Sequence, residues 1–145
     1  MDASDLILGR LASYVAQRVL NGEDIVVVNA EKAVLTGSRK SIINKFKTKL
    51  DKRTLGSQKK APKKPRRPDT YLRRVVRGML PWKTPKGKRA YRRLKTYVGV
   101  PTNLQGAATI TFPDAKNNLR QSMSVGRLLE IFGWDNSLEV DNDTA

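Results

Sequence analysis

Apolar residues recur at helical spacing near the start of the chain: Leu11, Ala12, Val15, Ala16, Val19 and Leu20, with Arg10, Gln17 and Arg18 between them. This spacing predicts a helix over residues 9–20. Asn21-Gly22 supplies its C-terminal stop. Gly9 and Ser13 are small, which would permit close approach of another backbone. Residues 24–29 (Asp-Ile-Val-Val-Val-Asn) form a β-branched run without alternation, the pattern of a strand buried on both faces. A buried strand directly after a helix predicts an α/β layered core with a parallel sheet. Ala33-Val34-Leu35 reads as a second short extended piece.

Thr36-Gly37-Ser38 then opens a second helix, with Ser38 or Thr36 as its N-cap. Its Ile42, Ile43, Phe46 and Leu50 share an arc of about 100° on a helical wheel. Lys40, Lys45, Lys47 and Lys49 fall outside that arc. Residues 53–69 differ: seven cations, three prolines at three-residue spacing, and only Leu55 and Ala61 as aliphatics. Such a segment buries too little to fold alone, and its prolines stiffen it. It is expected to be a protruding basic arm ordered only against a partner, with a disordered linker as the alternative.

Asp69 is placed to cap a third helix with the stripe Leu72, Val75, Val76, Met79 and Leu80. Arg73, Arg74 and Arg77 take the other side, so their removal should leave the fold intact. Pro81 stops this helix, and Pro85 opens a fourth. There Ala90, Tyr91 and Leu94 face inward and Lys88, Arg89, Arg92 and Arg93 outward. Residues 95–98 read as a strand ended by Gly99-Val100-Pro101. Residues 108–112 (Ala-Thr-Ile-Thr-Phe) alternate and predict another. Ser124 caps a last helix over 125–132, closed by Gly133. The tail 135–145 holds four acids and no cation, and is expected to fray. Residues 1–145 together make one domain.

Composition narrows the chemistry. Cys and His are both absent, which excludes disulfides, thiolate and imidazole metal ligands, and nucleophiles that depend on either residue. No long apolar run is present, so no membrane span is expected. The acidic start, with Asp2 and Asp5, lacks the features of a secretory signal. Charge is the informative property. The 145 residues carry 29 Lys and Arg against 13 acids, a net of +16. Residues 39–95 alone hold 23 of those cations and only Asp51 and Asp69 as acids, while the rest of the chain is net acidic. Such a concentration repels itself and calls for a polyanion. Anionic lipid fits less well, since a membrane-surface helix needs large apolar anchors.

No phosphate-binding glycine loop of the G-x-x-x-x-G-K-[ST] or G-x-G-x-x-G type occurs. Thr36-Gly37-Ser38 has the form of a plain helix cap, with one bound anion as the alternative. Glu23, Asp24 and Glu31 flank the buried strand, but nothing marks a second partner for general acid–base work. An enzyme acting on nucleotides and an architectural DNA-binding protein remain as alternatives. Against them stand two successive helices with basic outer faces, preceded by the basic arm. That combination favours phosphate and shape recognition of structured RNA. Trp82 lies between the two helices, placed either to stack on an unpaired base or to pack as a hinge.

Several stretches carry a family resemblance. Val76-Arg77-Gly78-Met79-Leu80-Pro81, followed by Gly87 and Leu94, resembles the signature of the large ribosomal subunit protein thirteen family. Leu8-Gly9-Arg10-Leu11-Ala12-Ser13 resembles that family's first helix start. Val27-Val28-Asn29-Ala30-Glu31 with Thr36-Gly37 resembles its buried strand and turn. The run Arg92 to Pro101 resembles the archaeal and eukaryotic branch. The resemblance covers residues 5–101. It implies a structural, non-catalytic constituent of the large ribosomal subunit that binds its ribosomal RNA, meets neighbouring ribosomal proteins, supports subunit assembly and works in the cytoplasm. It implies no cofactor, metal or small-molecule substrate. It also implies a three-layer α/β/α fold around a four-stranded, mainly parallel sheet.

Two departures stand out. The family's first strand is reduced here to Met1-Asp2-Ala3, and Trp82 stands where relatives often carry His. RNA contact is expected from the arm through Lys59, Lys60, Lys63, Lys64, Arg66 and Arg67. The third helix adds Arg73, Arg74 and Arg77. The turn and fourth helix add Trp82, Lys83, Lys86, Lys88, Arg89, Arg92 and Arg93.

Overall fold

The computed structural model describes residues 1–135, without the side chain of Gln58. The acidic tail therefore lies, beyond Asp135, outside the described residues. In chain order the elements are α1 (Leu8–Asn21), β1 (Ile25–Val27), β2 (Val34–Thr36), α2 (Arg39–Asp51), α3 (Pro68–Met79), α4 (Pro85–Arg92), β3 (Leu94–Thr96), β4 (Ser122–Ser124) and α5 (Val125–Ile131).

Helix α1 buries Leu8, Leu11, Ala12, Val15, Ala16 and Val19, and ends where Gly22 adopts φ 106°, a left-handed conformation that glycine enters without penalty. A Cβ on Gly9 would stand in open space, so that glycine serves no close approach. Ser13 does meet another helix: its Oγ lies 3.6 Å from Met79 Sδ. Ser38 and Ser124 cap α2 and α5, accepting from the backbone N–H of Ser41 and Arg127 at 3.3 Å each. The cap expected at Asp69 is replaced. Pro68 takes the first helical position with Arg67 as N-cap, because proline has the right φ and no N–H to satisfy. Asp69 instead adds negative charge to the first turn, where the helix dipole favours it.

The strands form two pairs. β1 and β3 run parallel, with Ile25, Val26 and Val27 opposite Leu94, Lys95 and Thr96. β2 and β4 run antiparallel, with Val34, Leu35 and Thr36 opposite Ser124, Met123 and Ser122. The α/β class is as expected, but a continuous four-stranded parallel sheet is not formed among the described residues. Its remnants are single bridges: Asp2 to Val28 and Ile7 to Val34, both parallel, and Leu6 to Lys116, antiparallel. The reduced first strand is thus a single bridge, supported by N–H donation from Ala3 to Val28 O at 3.1 Å and from Val28 to Met1 O at 2.9 Å.

No strand forms at 108–112. Ile110 is half exposed, and Phe112 is the residue that anchors the segment, stacked on Tyr14 with centroids 4.5 Å apart and planes 2° from parallel. The partner position on β2 is taken by Ser122–Ser124, a triplet whose one apolar residue, Met123, is buried in the core.

One core joins these elements. Leu11, Val15, Val19, Val27, Leu72, Val76, Leu94, Val125, Leu128 and Leu129 are fully buried or nearly so. Helix α1 packs on α3 and α4, α3 on β3 and α5, and α5 on β4. Two polar contacts tie the elements together: Thr96 Oγ1 donates to Asp69 O at 3.1 Å, and Glu31 Oε2 accepts from Gly99 N at 3.0 Å. Asn29, at φ 55°, donates from Nδ2 to Asp2 Oδ1 at 2.9 Å. Burial opposes ionisation of Asp2, but hydrogen bonds from Asn29 and Ser4 outweigh it and bring the carboxyl below its ordinary range.

Candidate nucleic-acid interface

The turn between α3 and α4 places the basic face. Helix α3 ends at Met79, Leu80 turns inward, and Pro81 forbids continuation. The Pro81 carbonyl then accepts twice from Thr84, from its N–H at 3.0 Å and its Oγ1 at 2.8 Å. The same Thr84 oxygen accepts from Gly87 N at 3.2 Å and so caps α4. Gly87 is buried, and a Cβ there would collide with the Pro81 carbonyl, whose carbon would lie at 2.6 Å. Only glycine lets α4 approach the turn this closely. The motif Leu80-Pro81 followed by Gly87 therefore has a steric reason: it sets the angle at which α4 leaves α3.

Two arginines are fixed against this turn. The Arg77 guanidinium lies over the Trp82 ring, 4.0 Å from its centroid, and Arg73 lies over Tyr91 at 4.8 Å. Trp82 and Tyr91 meet edge to face, with centroids 5.1 Å apart and planes at 87°. The four side chains form a chain from α3 through the turn to α4. Cation–π contact holds a guanidinium without consuming its N–H donors. Arg73 Nε is buried without a hydrogen-bond partner.

This revises the face assignment for α3. Arg73 and Arg77 lie off the apolar stripe, but they are half-buried on aromatic rings and not free in solvent; Arg74 alone of the three is exposed. Trp82 packs against Arg77 and Tyr91. Tyr91 is half-buried, as much a support for Arg73 as a core residue.

The other expected contacts sit on the surface. Lys83, Lys86, Lys88, Arg89, Arg92 and Arg93 are all exposed, and no ion pair engages them among the described residues. In the arm, Lys59 and Lys60 lie in a short 3-10 turn, Gln58–Lys60. Lys63, Arg66 and Arg67 are exposed and Lys64 is half-buried. Leu55 is fully exposed, so the arm contributes little to the core. Arg67 Nε pairs with Asp69 Oδ1 at 3.4 Å. The structure thus gathers Arg73, Arg74, Arg77 and the α4 cations at one α3–α4 unit, with the arm leading into it.

One feature escaped the expected site. Lys40, Lys45, Lys49 and Lys52 line a shallow groove along α2 with Ser38, Ser41, Asn44 and Thr48. The i, i+4 spacing of Lys45 and Lys49 was the available signal. The carboxylates near β1 have structural uses: Glu31 holds Gly99, and Glu23 pairs with Arg18 at 3.6 Å. Among the described residues no group of acids gathers into a metal site, and no helix is long and apolar enough to cross a membrane.

Comparison with known proteins follows the same residues. Positions 1–103 match the family described as Ribosomal protein L13. A large ribosomal subunit protein uL13 of Archaeoglobus fulgidus is 52% identical over 115 residues, 79% of this chain and 72% of that protein. The uL13 of Methanosarcina barkeri is 48% identical over 132 residues, 90% of this chain and 92% of the relative. That of Methanosphaera stadtmanae is 39% identical over 135 residues, 92% and 95% of the two chains. With the Pro81–Gly87 turn and its basic helices in place, these matches show that the chain belongs to the ribosomal protein L13 family, whose members are structural components of the ribosome and not enzymes.

Proposed function

We propose that this protein is a structural constituent of the large ribosomal subunit, in the cytoplasm, and that its α3–α4 unit binds large-subunit ribosomal RNA and supports assembly. The observation that carries this reading is the pair of arginines held over Trp82 and Tyr91 beside a turn and helix whose six cations, Lys83 to Arg93, have no ion pair among the described residues. Guanidinium groups oriented before binding lose less entropy on contact and present a planar fork to phosphate oxygens. The α4 cations extend the same field along one edge of an RNA helix. The arm, with little core of its own, gains order when its lysines and arginines neutralise phosphates. Residues 1–145 act as one domain in this reading, the arm being part of it. Neighbouring subunit proteins meet the surfaces that RNA leaves open.

The test is reconstitution. The protein is added to large-subunit ribosomal RNA and sedimented through a sucrose gradient against excess duplex DNA. Co-migration with the RNA despite the DNA supports the reading. Equal partition between the two polymers at physiological salt points to an architectural DNA-binding protein instead.

A further inference from the structure

The groove on α2 is not accounted for by the α3–α4 unit. Phe46 faces the core, meeting Tyr71 of α3 edge to face at 5.8 Å and Phe132 at 4.8 Å. With about 100° between successive residues of a helix, Asn44 and Thr48 lie opposite Phe46, and Lys40, Lys45 and Lys52 flank them. All five are exposed. The four lysines lining the groove have no ion pair among the described residues, and no acid lines the groove with them. From Lys40 to Lys52 the row extends about 18 Å along the helix axis.

The α2 row stands apart from the α3–α4 surface. Helix α2 meets α3 through Tyr71, whereas α4 meets it through Arg73 and Arg77. Those arginines are about 200–240° round the helix from Tyr71, so α3 stands between the two cationic surfaces.

We propose that the lysine row of α2 is a second RNA-phosphate surface, which takes a different segment of ribosomal RNA from the one seated on α3 and α4. The proposal rests on the reading that the protein binds ribosomal RNA. The lining chemistry selects the partner. Lysine, serine, threonine and asparagine are the side chains that contact phosphate and sugar. The groove offers no aromatic or large aliphatic anchor, which the centre of a protein–protein interface requires. Two separated sites on one rigid body tie two RNA segments together, each raising the effective concentration of the other.

Hydroxyl-radical footprinting of deproteinised large-subunit RNA tests this, with the full chain and two multiple variants. One carries Lys40→Gln, Lys45→Gln, Lys49→Gln and Lys52→Gln; the other carries Lys86→Gln, Lys88→Gln and Arg89→Gln. Glutamine suits exposed helix positions, and circular dichroism checks both folds. Should the fourfold variant melt early, Lys45→Gln with Lys52→Gln gives the same readout. The α2 variant is expected to lose one block of protected nucleotides while keeping the block that the α4 variant loses. Its log–log salt slope of binding should fall by about three to four. An unchanged footprint, or loss of the same nucleotides in both variants, overturns the proposal. An unchanged footprint with weaker incorporation into assembled subunits also overturns it, in favour of an acidic protein neighbour. Absence of any footprint from the unsubstituted protein rejects the proposed function itself.

Discussion

The Arg77 guanidinium rests over the indole of Trp82, 4.0 Å from the ring centroid, so the tryptophan sets where that charge sits. Removing either partner should remove the same interaction with RNA. Arg77→Ala and Trp82→Leu should each weaken binding to large-subunit RNA. The double variant should lose less than the sum, with a coupling of at least about 0.5 kcal/mol. Additive losses would mean that Trp82 touches RNA independently of Arg77.

Arg74 offers a cleaner probe of charge alone, because it is exposed while its neighbours Arg73 and Arg77 are half-buried. Arg74→Ala should leave the melting temperature unchanged. It should weaken RNA binding uniformly across sequences and lower the log–log salt slope by about one. The triple change at Arg73, Arg74 and Arg77 should instead lower stability as well, since two of its members pack on aromatic rings.

Gly87→Ala tests the turn. The added Cβ would meet the Pro81 carbonyl, and backbone on backbone has no flexible side chain to yield. Destabilisation of about 1–3 kcal/mol is expected, visible as a melting temperature lower by several degrees. Gly9→Ala, where the space is open, should be neutral or slightly stabilising, since alanine is the better helix former.

Acid stability tests the Asp2–Asn29 hydrogen bond. Burial works against the Asp2 charge, but the hydrogen bonds that Asn29 and Ser4 donate prevail, so its carboxyl titrates lower in the folded chain than in the unfolded one. Its contribution is therefore present above the ordinary carboxylate range and lost as pH falls through the folded value. Asp2→Asn should reduce stability near neutral pH and flatten the decline between about pH 5 and pH 2. An identical pH profile in chemical denaturation would contradict this assignment.

Much of the fold was legible where a local rule has no competitor. Gly22 ends α1 as its sequence predicts, and Ser38 and Ser124 cap the helices they precede. The β-branched run gave β1. Pairing was not legible. Residues 108–112 alternate, yet alternation reports only that one side of a segment is apolar, and here a single aromatic stack on Tyr14 satisfies it. Ser122–Ser124 pairs with β2 despite having one apolar residue, because its neighbours fix it there. The basic site was legible as charge but not as geometry. That Arg73 and Arg77 are held by Tyr91 and Trp82 depends on how α4 folds back at Gly87, a contact between elements that periodicity does not encode. The α2 groove was visible as a basic side but carried no motif.

The cations of residues 39–95 are expected to neutralise RNA phosphates. The direct measurement is the affinity of the full chain for large-subunit ribosomal RNA as salt rises from 50 to 200 mM. If eight to ten phosphates are contacted, affinity should fall by about 10³–10⁵-fold, taking duplex-DNA behaviour as the guide. A response flat across that range would contradict the account.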